Sequence, residues 1–394
     1  MFKTTGRANP PTDVTVAWES SLDDQEWSDL AARVRPRLRF LAYGWWQAWG
    51  ETMLPHGNWR GPLRFAVARN GGGMIQAVLP VAKQVMLGLP VLSLAGNYKP
   101  FRSWLIAGDA PKETAACLVD FITDDADAKA FRLGPVKRSQ IEIEVLRRAF
   151  DDAGWRFCPV TRGENHLIDL PEDLTGYRKM VAPRKFQRTD YQRRRMGREG
   201  QVRIACHRGL GLDAWRQVIA ESALVEQASW LLGQGGDLAY ADPKSAAFWQ
   251  RYLTSASASQ AKSVWIIYVD DRPVSFNATL DSGDCRYGLS SHFDEAFKAY
   301  SPGKMVYLDA ITDCFDRGVK VFSLGQGDGG FKAHYGANRV EPLADWLALP
   351  PTAAGRLLCL AARTKFGEEH TQKDEFEGPA AECSPHKSGA PPRH

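Results

Sequence analysis

RYGLSSHFDEAFKAYSPGKMVYLDAITDCFDRGVKVFSLGQGDGGFKAHYG, residues 286–336, combines strand-like and helix-like patterns. A short strand is predicted at Cys285–Ser290, and Ser301 followed by proline is typical of a helix start with serine as the N-cap. Gly318 is a stop signal for that helix, and a buried strand is predicted after it at Val319–Leu324. Helical spacing joins four apolar residues between these points: Met305, Leu308, Ile311 and Phe315. The stretch therefore predicts a strand–helix–strand unit that ends in a glycine-rich loop.

The start of this predicted helix is suited to binding an anion. Free backbone N–H groups and the helix dipole face an incoming phosphate, and Gly303 lets the phosphate approach closely. Lys304 adds a positive charge. An ordinary turn with an N-cap is the commoner meaning of a Ser-Pro-Gly run on its own, so this run alone does not establish a phosphate site.

Three motifs in this stretch carry a resemblance to a known family: Tyr300-Ser301-Pro302-Gly303, then Phe322 to Asp328, then Phe331-Lys332. In this order and spacing they resemble the CelD/BcsL-like acyltransferases, which belong to the GNAT superfamily and are related to the FemAB-type transferases. Ser323 stands where that family usually has aspartate, and Phe331 where it usually has tyrosine, while Asp328 and Lys332 match. The similarity extends over about residues 40 to 345.

The resemblance implies an α/β protein with tandem GNAT-like domains, each a central mixed sheet flanked by helices. It also implies an acyl-CoA as co-substrate, no permanently bound cofactor, and an amine-bearing lipid or sugar of the cell envelope as acceptor. Bacterial ceramide synthases, which acylate a sphingoid amine, are similar to this family too. The residues that would bind the CoA thioester are Ser290, Ser291, Tyr300, Ser301, Gly303, Lys304 and Arg194.

The composition is that of an ordinary globular protein. Its 394 residues are 44% hydrophobic and 24% charged, and this length favours two domains over one. The net charge of +4 argues against a protein that traps nucleic acid by charge alone. The N-terminus lacks the apolar core of a signal peptide, and no apolar run is long enough to span a bilayer. The default expectation is therefore a cytoplasmic location.

The seven cysteines are odd in number and widely spaced, without a Cys-x-x-Cys pair. This pattern predicts neither a disulfide framework nor a zinc site. The thirteen tryptophans indicate large apolar contact surfaces.

Two pairs of similar segments indicate an internal duplication. The apolar hairpin Leu63–Val81 has a counterpart at Val264–Leu280, and Phe131–Gly134 has one at Phe322–Gly325. The predicted divisions are a disordered lead at 1–13, an N-terminal GNAT-like domain at 14–170, a catalytic C-terminal one at 171–348 and a tail at 349–394. In the tail, the basic amphipathic segment Arg356–Phe366 either contacts a membrane surface or packs on the body, and disorder is predicted after it.

The most charged part of the chain lies between the two predicted domains. Arg178 to Arg208 contains eleven basic and two acidic side chains, and Arg184–Met196 is predicted to be one helix. A solvated basic helix is the usual meaning of such a run. A docking face for CoA phosphates or an anionic membrane is the second interpretation, and RNA binding is the third. A basic helix at this place is common in the resembled family, so nucleic acid is not the expected partner.

Acyl transfer from a thioester to an amine needs a base, and the chain offers few candidates. His292 has the most suitable ordinary pKa, although an exposed loop histidine is an equal alternative. Asp328 and Lys332 follow the last strand of the quoted stretch, where a carboxylate could be the base and an ammonium could orient the acceptor; a surface ion pair is the alternative. Tyr335, or Tyr300, is a candidate proton donor to the leaving thiolate. No metal site is predicted.

The sequence thus predicts an acyl-CoA-dependent N-acyltransferase of envelope lipid or polysaccharide synthesis, with a long-chain acyl group on a sphingoid-type amine mildly favoured. Such an enzyme would be cytoplasmic or peripheral at the inner membrane. Two alternatives stay open: a FemX-like transferase that uses aminoacyl-tRNA, and a non-catalytic subunit of an envelope polysaccharide assembly system.

Overall fold

The computed structural model describes residues 13–34, 38, 41–56, 58–86, 88–108, 111–125, 129–234, 238–327 and 329–366. Within these residues one mixed sheet has thirteen strands. The strands are β1 (Val14–Glu19), β2 (Trp59–Asn70), β3 (Ile75–Met86), β4 (Leu89–Leu94), β5 (Leu105–Ile106), β6 (Phe131–Lys137), β7 (Arg156–Asp169), β8 (Val202–Arg208), β9 (Lys262–Val269), β10 (Arg272–Ser282), β11 (Cys285–Phe293), β12 (Val321–Gln326) and β13 (Arg339–Leu349).

Helices cover the sheet on both faces. They are α1 (Asp24–Arg33), α2 (Tyr43–Thr52), α3 (Pro111–Thr123), α4 (Ile141–Asp152), α5 (Leu174–Met180), α6 (Pro183–Met196), α7 (Leu212–Gln227), α8 (Pro243–Tyr252), α9 (Ala256–Ala261), α10 (Pro302–Asp316), α11 (Gly329–Ala333) and α12 (Ala353–Phe366). Short 3-10 helices lie at Trp230–Gln234 and Glu295–Tyr300. In the described part of the chain, no helix combines the length and apolarity needed to cross a membrane.

Each half of the chain builds the same series of elements. In the first half, β1 to β4 run antiparallel to one another, and the chain returns through α3 to β6, which is parallel to β4. In the second half, β8 to β11 are antiparallel, and α10 leads to β12, which is parallel to β11. This repetition confirms the predicted α/β class, with one mixed sheet built from two similar units.

The two halves exchange their last strands at the centre of the sheet. β7, from the first half, pairs antiparallel with β12, and β13, from the second half, pairs antiparallel with β6. β7 and β13 then pair with each other from Arg339–Leu167 to Leu349–Arg156. The sheet is therefore continuous across residue 170, and the predicted domain limits 14–170 and 171–348 stay a prediction.

Local sequence explains why these elements begin and turn where they do. The β9–β10 hairpin turns at Asp270 and Asp271, which have φ values of 48° and 64°; positive φ at both central residues matches the right-handed twist of the strands. α10 begins at Pro302, whose fixed φ suits a first helical position.

Aromatic side chains join the helices of the two halves. Trp45 of α2 packs edge-on against Phe248 and Tyr252 of α8, with ring centroids 4.9 Å apart in both pairs. Trp45, Trp46 and Trp49 are all buried, so the rings of this helix belong to the core that joins the two halves.

A disulfide between Cys158 of β7 and Cys359 of α12 fixes the C-terminal helix to the sheet. The cysteine pattern did not predict it, because the partners are 201 residues apart and only the fold brings their Cα atoms to 5.7 Å. Leu357 and Leu360 of α12 remain exposed, so this segment both packs on the body and presents apolar side chains to solvent. Disulfides are rare in the reducing cytoplasm, so this bond does not favour the expected location.

We expect Cys359→Ser to lower the free energy of unfolding by about 2–4 kcal/mol, because the bond restricts the unfolded chain. Chemical denaturation under non-reducing conditions measures this loss. The control is Cys206→Ser, since Cys206 is an exposed cysteine outside the disulfide. Equal stability of the Cys359 variant and the wild type would mean that the bond does not form.

Candidate functional site

The site begins where β11 and β12 diverge. Their parallel pairing ends at Tyr287–Ser323, while β11 continues to Phe293 and β12 to Gln326. A bulge between β10 and β11 lies beside this point. Gly288 is needed there, because a Cβ atom on it would lie 3.0 Å from the carbonyl oxygen of Ser323. The two strands therefore separate beyond Tyr287 and Ser323.

His292 lies at the end of β11 on the face covered by α7. Its Nε2 is 3.7 Å from Oε1 of Glu226, and its Nδ1 is 3.4 Å from Oγ of Ser229. The imidazole stacks on the ring of Phe276, 5.6 Å away. Its side chain is 4% exposed, so the alternative of an exposed loop histidine is wrong.

Glu226, near the end of α7, organises the segment that covers this face. The carboxylate is fully buried and accepts hydrogen bonds from the backbone N–H groups of Ala239, Tyr240 and Ala241 at 2.7–2.9 Å. Ser290 also donates its hydroxyl to Oε1 of Glu226, at 3.3 Å. These bonds keep a buried carboxylate next to the imidazole of His292.

Burial lowers the pKa of His292 below its usual value. The charge of Glu226 opposes this shift and raises the pKa, whereas the charge of Lys99 lowers it further. The imidazole is therefore neutral near pH 7 and can accept a proton, which is what a general base must do.

Lys99 reaches this site from the first half of the chain. It lies in the loop after β4, where its backbone N–H donates to the side chain of Asn97 at 3.0 Å. Burial lowers the pKa of Lys99, and Glu226 raises it. Phe101 of the same loop contacts Tyr287 of β11, with ring centroids 5.8 Å apart. The site of the second half thus depends on a loop of the first.

A basic groove lies between α6 and the start of α10. Its volume is about 220 Å³. The residues that line it are Val181, Lys185, Arg188, Thr189, Gln192, Tyr300, Ser301, Lys304, Met305, Leu308, His334 and Tyr335. Three cationic side chains and a helix N-terminus are the usual parts of a phosphate site.

The structure brings three of the predicted CoA-binding residues, Tyr300, Ser301 and Lys304, together in this groove. Gly303 is adjacent, and a Cβ atom on it would lie 3.3 Å from the ring of Phe293. Tyr300 donates its hydroxyl to Glu199, and this hydrogen bond raises the pKa of Tyr300.

The other three predicted binding residues lie elsewhere. Ser290 is on the His292 side of the sheet, as described above. Ser291 donates its hydroxyl to the carbonyl of Phe276 at 3.1 Å. Arg194 is exposed on α6 and does not belong to the described residues that line the groove.

The remaining predicted catalytic residues are dispersed. Asp328 lies outside the described residues. Lys332 is buried and donates its ammonium to the carbonyl of Gly325 at the end of β12. Tyr335 is buried in the groove wall, and its hydroxyl has no hydrogen-bond partner among the described residues. Burial raises its pKa well above the usual value, so this phenol stays protonated. The described residues contain no group of His, Cys, Asp and Glu side chains that could hold a metal ion.

The corresponding divergence in the first half is filled by protein. Arg102 is buried, and its guanidinium donates to the carbonyls of Gly96 and Gly134. Arg132 of β6 forms an ion pair with Asp345 of β13 beside it. Burial lowers the pKa of Arg102 to about 10. The first half therefore has a buried arginine at the place that corresponds to the strand divergence of the second half.

Sequence analysis missed Glu226 and Lys99. Glu226 follows Leu224 and Val225 in an apolar helical pattern, and a carboxylate in such a place is a signal of a buried acid with partners. Lys99 precedes a proline in a loop, and its position in the site follows only from the packing of the two halves.

Comparisons with known proteins agree with this architecture. Residues 184–333, from α6 to the end of α11, match the family model described as acetyltransferase (GNAT) domain. Among proteins with curated functions, none matches the sequence.

Three solved structures are similar to this one. FemX is 9% identical, with a TM-score of 0.55 over 87% of this chain and 100% of that chain. A conserved protein of unknown function from Bacteroides thetaiotaomicron is 12% identical, with a TM-score of 0.50 over 85% of this chain and 99% of that chain. A tandem GNAT protein from the clavulanic acid biosynthesis pathway is 11% identical, with a TM-score of 0.48 over 85% and 98%. At such identities, the first two show a shared fold.

We expect His292→Gln to reduce the loss of stability on acidification. In the unfolded chain a histidine takes up a proton near pH 6.5, whereas the buried imidazole resists it. The unfolded wild type therefore binds more protons as the pH falls below about 6.5, and the folded state loses stability there. Melting temperatures between pH 7.5 and pH 5 measure the difference.

The control for this comparison is His56→Gln, since His56 is exposed. It should follow the wild-type pH profile. Parallel profiles for the wild type and His292→Gln would contradict the burial of a neutral imidazole.

Proposed function

We propose that this chain is an acyl-CoA-dependent N-acyltransferase that acts through its second half. The observation that carries the proposal is the buried neutral imidazole of His292 beside Glu226. The imidazole lies on one face of the sheet, where β11 and β12 separate. The basic groove at the start of α10 is next to the other face of the sheet. The match of residues 184–333 to the GNAT acetyltransferase domain supports the same reaction class.

The groove would hold the phosphates of the CoA thioester. Lys185, Arg188 and Lys304 supply the charge, and the N-terminus of α10 supplies backbone N–H groups. The thioester arm would then pass between the diverging ends of β11 and β12 toward His292. Acyl-CoA acts as co-substrate in this scheme, and no bound cofactor is required.

The amine acceptor would reach His292 from the α7 side. The amine nitrogen attacks the thioester carbonyl carbon, His292 takes the proton from that nitrogen, and the carbon–sulfur bond breaks. The carboxylate of Glu226 stabilises the imidazolium that forms. We propose that Tyr335, whose buried hydroxyl has no hydrogen-bond partner among the described residues, supplies the proton to the departing thiolate. Tyr300 is the weaker candidate because its hydroxyl already donates to Glu199.

An amine-bearing lipid is the acceptor class that the surface near His292 favours. Leu224, Trp230 and Leu232 are 57%, 46% and 48% exposed, and they flank Ser229, which contacts His292. An apolar rim of this kind suits an acyl chain or a membrane surface. A sphingoid-type amine and an amino sugar of the envelope are the two acceptors we propose, with the former favoured. The reaction would take place at or near the inner membrane.

A FemX-like transferase that uses aminoacyl-tRNA is the second candidate. The fold likeness to FemX and the exposed arginines of α6, among them Arg184, Arg188 and Arg194, favour it. Arg193 is already paired with Asp309 at 3.0 Å, and Arg195 lies over the ring of Tyr300, so part of the basic charge of α6 serves internal contacts.

A non-catalytic subunit is the third candidate. Ser323 and Phe331 depart from the family motif, and Ser323 donates its hydroxyl to Asn165 at 2.9 Å. This candidate predicts that no thioester is consumed.

Acyl-CoA binding is tested first through thermal stability, because a ligand of the native state raises the melting temperature. We expect acetyl-CoA, palmitoyl-CoA and CoA to raise it in the wild type. The double variant Arg188→Ala/Lys304→Ala should bind them about tenfold or more weakly, because charge-assisted hydrogen bonds are lost. Arg184→Ala, on the same helix outside the described groove lining, is the control.

Other ligands decide between the candidates in the same experiment. Stabilisation by tRNA alone, abolished by high salt or by neutralising Arg193, Arg194 and Arg195, would favour the FemX-like candidate. No shift with either ligand class would favour the non-catalytic subunit.

His292 is tested by turnover. We expect His292→Gln to lower kcat by about 10²–10⁴-fold with unchanged CoA affinity, because only proton removal is lost. Release of free thiol from palmitoyl-CoA in the presence of sphingoid and amino-sugar acceptors measures the rate. His56→Gln serves as the control, and a His292 variant with wild-type kcat would reject the assignment.

A further inference from the structure

Helix α12 presents apolar side chains to solvent on the side that faces away from the sheet. Leu357, Leu358 and Leu360 are 69%, 37% and 62% exposed, whereas Cys359 between them is buried and bonded to β7. A surface helix usually turns its apolar side chains to the core and its polar ones to solvent. α12 has apolar residues on both sides, so its outer side needs a reason.

Cations flank these leucines, and the helix has no acidic residue. Its sequence is AAGRLLCLAARTKF, in which Arg356, Arg363 and Lys365 are the charged residues. At 3.6 residues per turn, positions 356 and 363 fall on one side of the leucines and position 365 falls on the other. An apolar stripe bordered by lysine and arginine is typical of a helix that lies in the plane of a membrane interface. The charge is complementary to anionic lipid headgroups.

The hairpin of β3 and β4 extends this apolar surface. Leu89, the first residue of β4, is 39% exposed. Val91, two residues later, packs in one cluster with Cys359 of α12. Alternate side chains of a strand lie on one face, so Leu89 is on the α12 side of the sheet. The four exposed leucines, here named the leucine patch, are Leu89, Leu357, Leu358 and Leu360.

The leucine patch lies at the same edge of the sheet as the His292 site. β12 is antiparallel to β7, and β7 is antiparallel to β13, so β12 and β13 end at the same edge. β11, which is parallel to β12, ends there too, and α12 follows β13. Glu295, just after β11, donates its backbone N–H to the carbonyl of Ala228, just after α7. The apolar rim near His292 is therefore also at this edge.

The patch and the rim share a face as well. Ala82 of β3 belongs to the core cluster that includes the inner side of α7. Gln84, two residues later, pairs with Val91 of β4. Because alternate positions of a strand share a face, Val91 and the helix α12 that covers it are on the α7 side of the sheet. A surface that contacts the leucine patch would thus face the side from which His292 is approached.

Charge and composition argue against two other occupants of the patch. Residues 367–394 contain six acidic residues and a single large apolar one, Phe376, which is too little apolar surface to cover four leucines. A second copy placed symmetrically on the patch would bring the cations of its own α12 against those of the first. An anionic bilayer supplies both an apolar interior and negative charge.

We propose that the leucine patch docks this protein on an anionic lipid bilayer. Leu357 and Leu360 would enter the boundary between headgroups and acyl chains, and the positive charge of α12 would lie among the phosphates. The docking surface does not depend on the transferase reaction. Its consequence for that reaction, a bilayer beside the approach to His292, rests on the proposed function.

Sedimentation of the full chain with vesicles tests the apolar part of this surface. Vesicles of equal parts phosphatidylcholine and phosphatidylglycerol should bind the wild type. Leu357→Ser/Leu360→Ser should bind them about tenfold or more weakly, because less apolar surface leaves water. The matched control is Met74→Ser/Ile141→Ser, which replaces two exposed apolar residues at the opposite edge of the sheet. It should bind as the wild type does.

Charge is tested with the same vesicles. Arg356→Gln, Arg363→Gln and Lys365→Gln should each weaken binding to the anionic vesicles about fivefold, because each cation near such a surface contributes about 1 kcal/mol. Binding to vesicles of phosphatidylcholine alone should be weaker and should not change with these variants. Lys112→Gln, at an exposed lysine of α3, is the control and should leave both affinities unchanged.

Three binding results would overturn the proposal. They are no sedimentation of the wild type with any vesicle, equal sedimentation of Leu357→Ser/Leu360→Ser, and equal affinity for anionic and neutral vesicles. Light scattering without lipid addresses the second copy. A wild-type dimer that becomes a monomer in the leucine variant would assign the patch to self-association and overturn docking.

Melting temperature shows whether the leucines contact the chain itself. Because their side chains are exposed, Leu357→Ser/Leu360→Ser should melt with the wild type. A clearly lower melting temperature would mean that these leucines pack against another segment of the protein, which would overturn the proposal.

Turnover separates the docking surface from the proposed reaction. With palmitoyl-CoA, the leucine variant should acylate a long-chain amine in anionic vesicles more slowly than the wild type, and a short soluble amine at the wild-type rate. Equal loss with both amines would overturn a docking role. Absence of turnover by the wild type with either amine would refute the transferase function alone, and the vesicle binding described above would still establish the docking surface.

Discussion

The antiparallel pairing of β7 with β13 at the centre of the sheet is the constraint on which the rest of the structure depends. β7, from the first half, also pairs with β12 of the second half, and β13, from the second half, also pairs with β6 of the first. Every ladder hydrogen bond in this region therefore joins residues far apart in sequence. Side chains reinforce the exchange: Lys137 pairs with Glu341 at 2.9 Å, and Arg132 pairs with Asp345. The two halves therefore form one cooperative unit.

This arrangement also explains how the first half serves the site of the second. Its own strand divergence is occupied by Arg102, whose donors satisfy the local carbonyls. The loop after β4, fixed by the contact of Phe101 with Tyr287, brings Lys99 into the field of Glu226 and His292. The first half thus contributes to the surroundings of His292, and the charge of its Lys99 lowers the pKa of that histidine.

Local patterns predicted much of the fold. The predicted helix after Ser301 is α10, Arg184–Met196 agrees with α6 to within one residue, and the two apolar hairpins are β2–β3 and β9–β10. These elements are decided by apolar periodicity, proline and glycine, which are visible in a short window. The exchange of β7 and β13 and the Cys158–Cys359 bond cannot be predicted from a short window of sequence, because they depend on which distant segments meet in the fold.

The site was only partly predictable for the same reason. His292 and the start of α10 lie in one contiguous stretch with recognisable motifs. Glu226 is more than sixty residues earlier and Lys99 almost two hundred, so their approach to His292 follows from tertiary packing. Lys332 matched a motif, yet the side chain contacts the carbonyl of Gly325, and a motif does not reveal which way a side chain turns.

The strand exchange has a consequence for the nascent chain. The ribosome completes β6 and β7 long before it reaches β12 and β13, and at ordinary elongation rates the intervening residues take on the order of ten seconds to synthesise. During that time β6 has an open edge and β7 has no neighbour on either side. Unpaired strand edges attract other strands, so this is the interval in which the nascent chain is most exposed to mispairing.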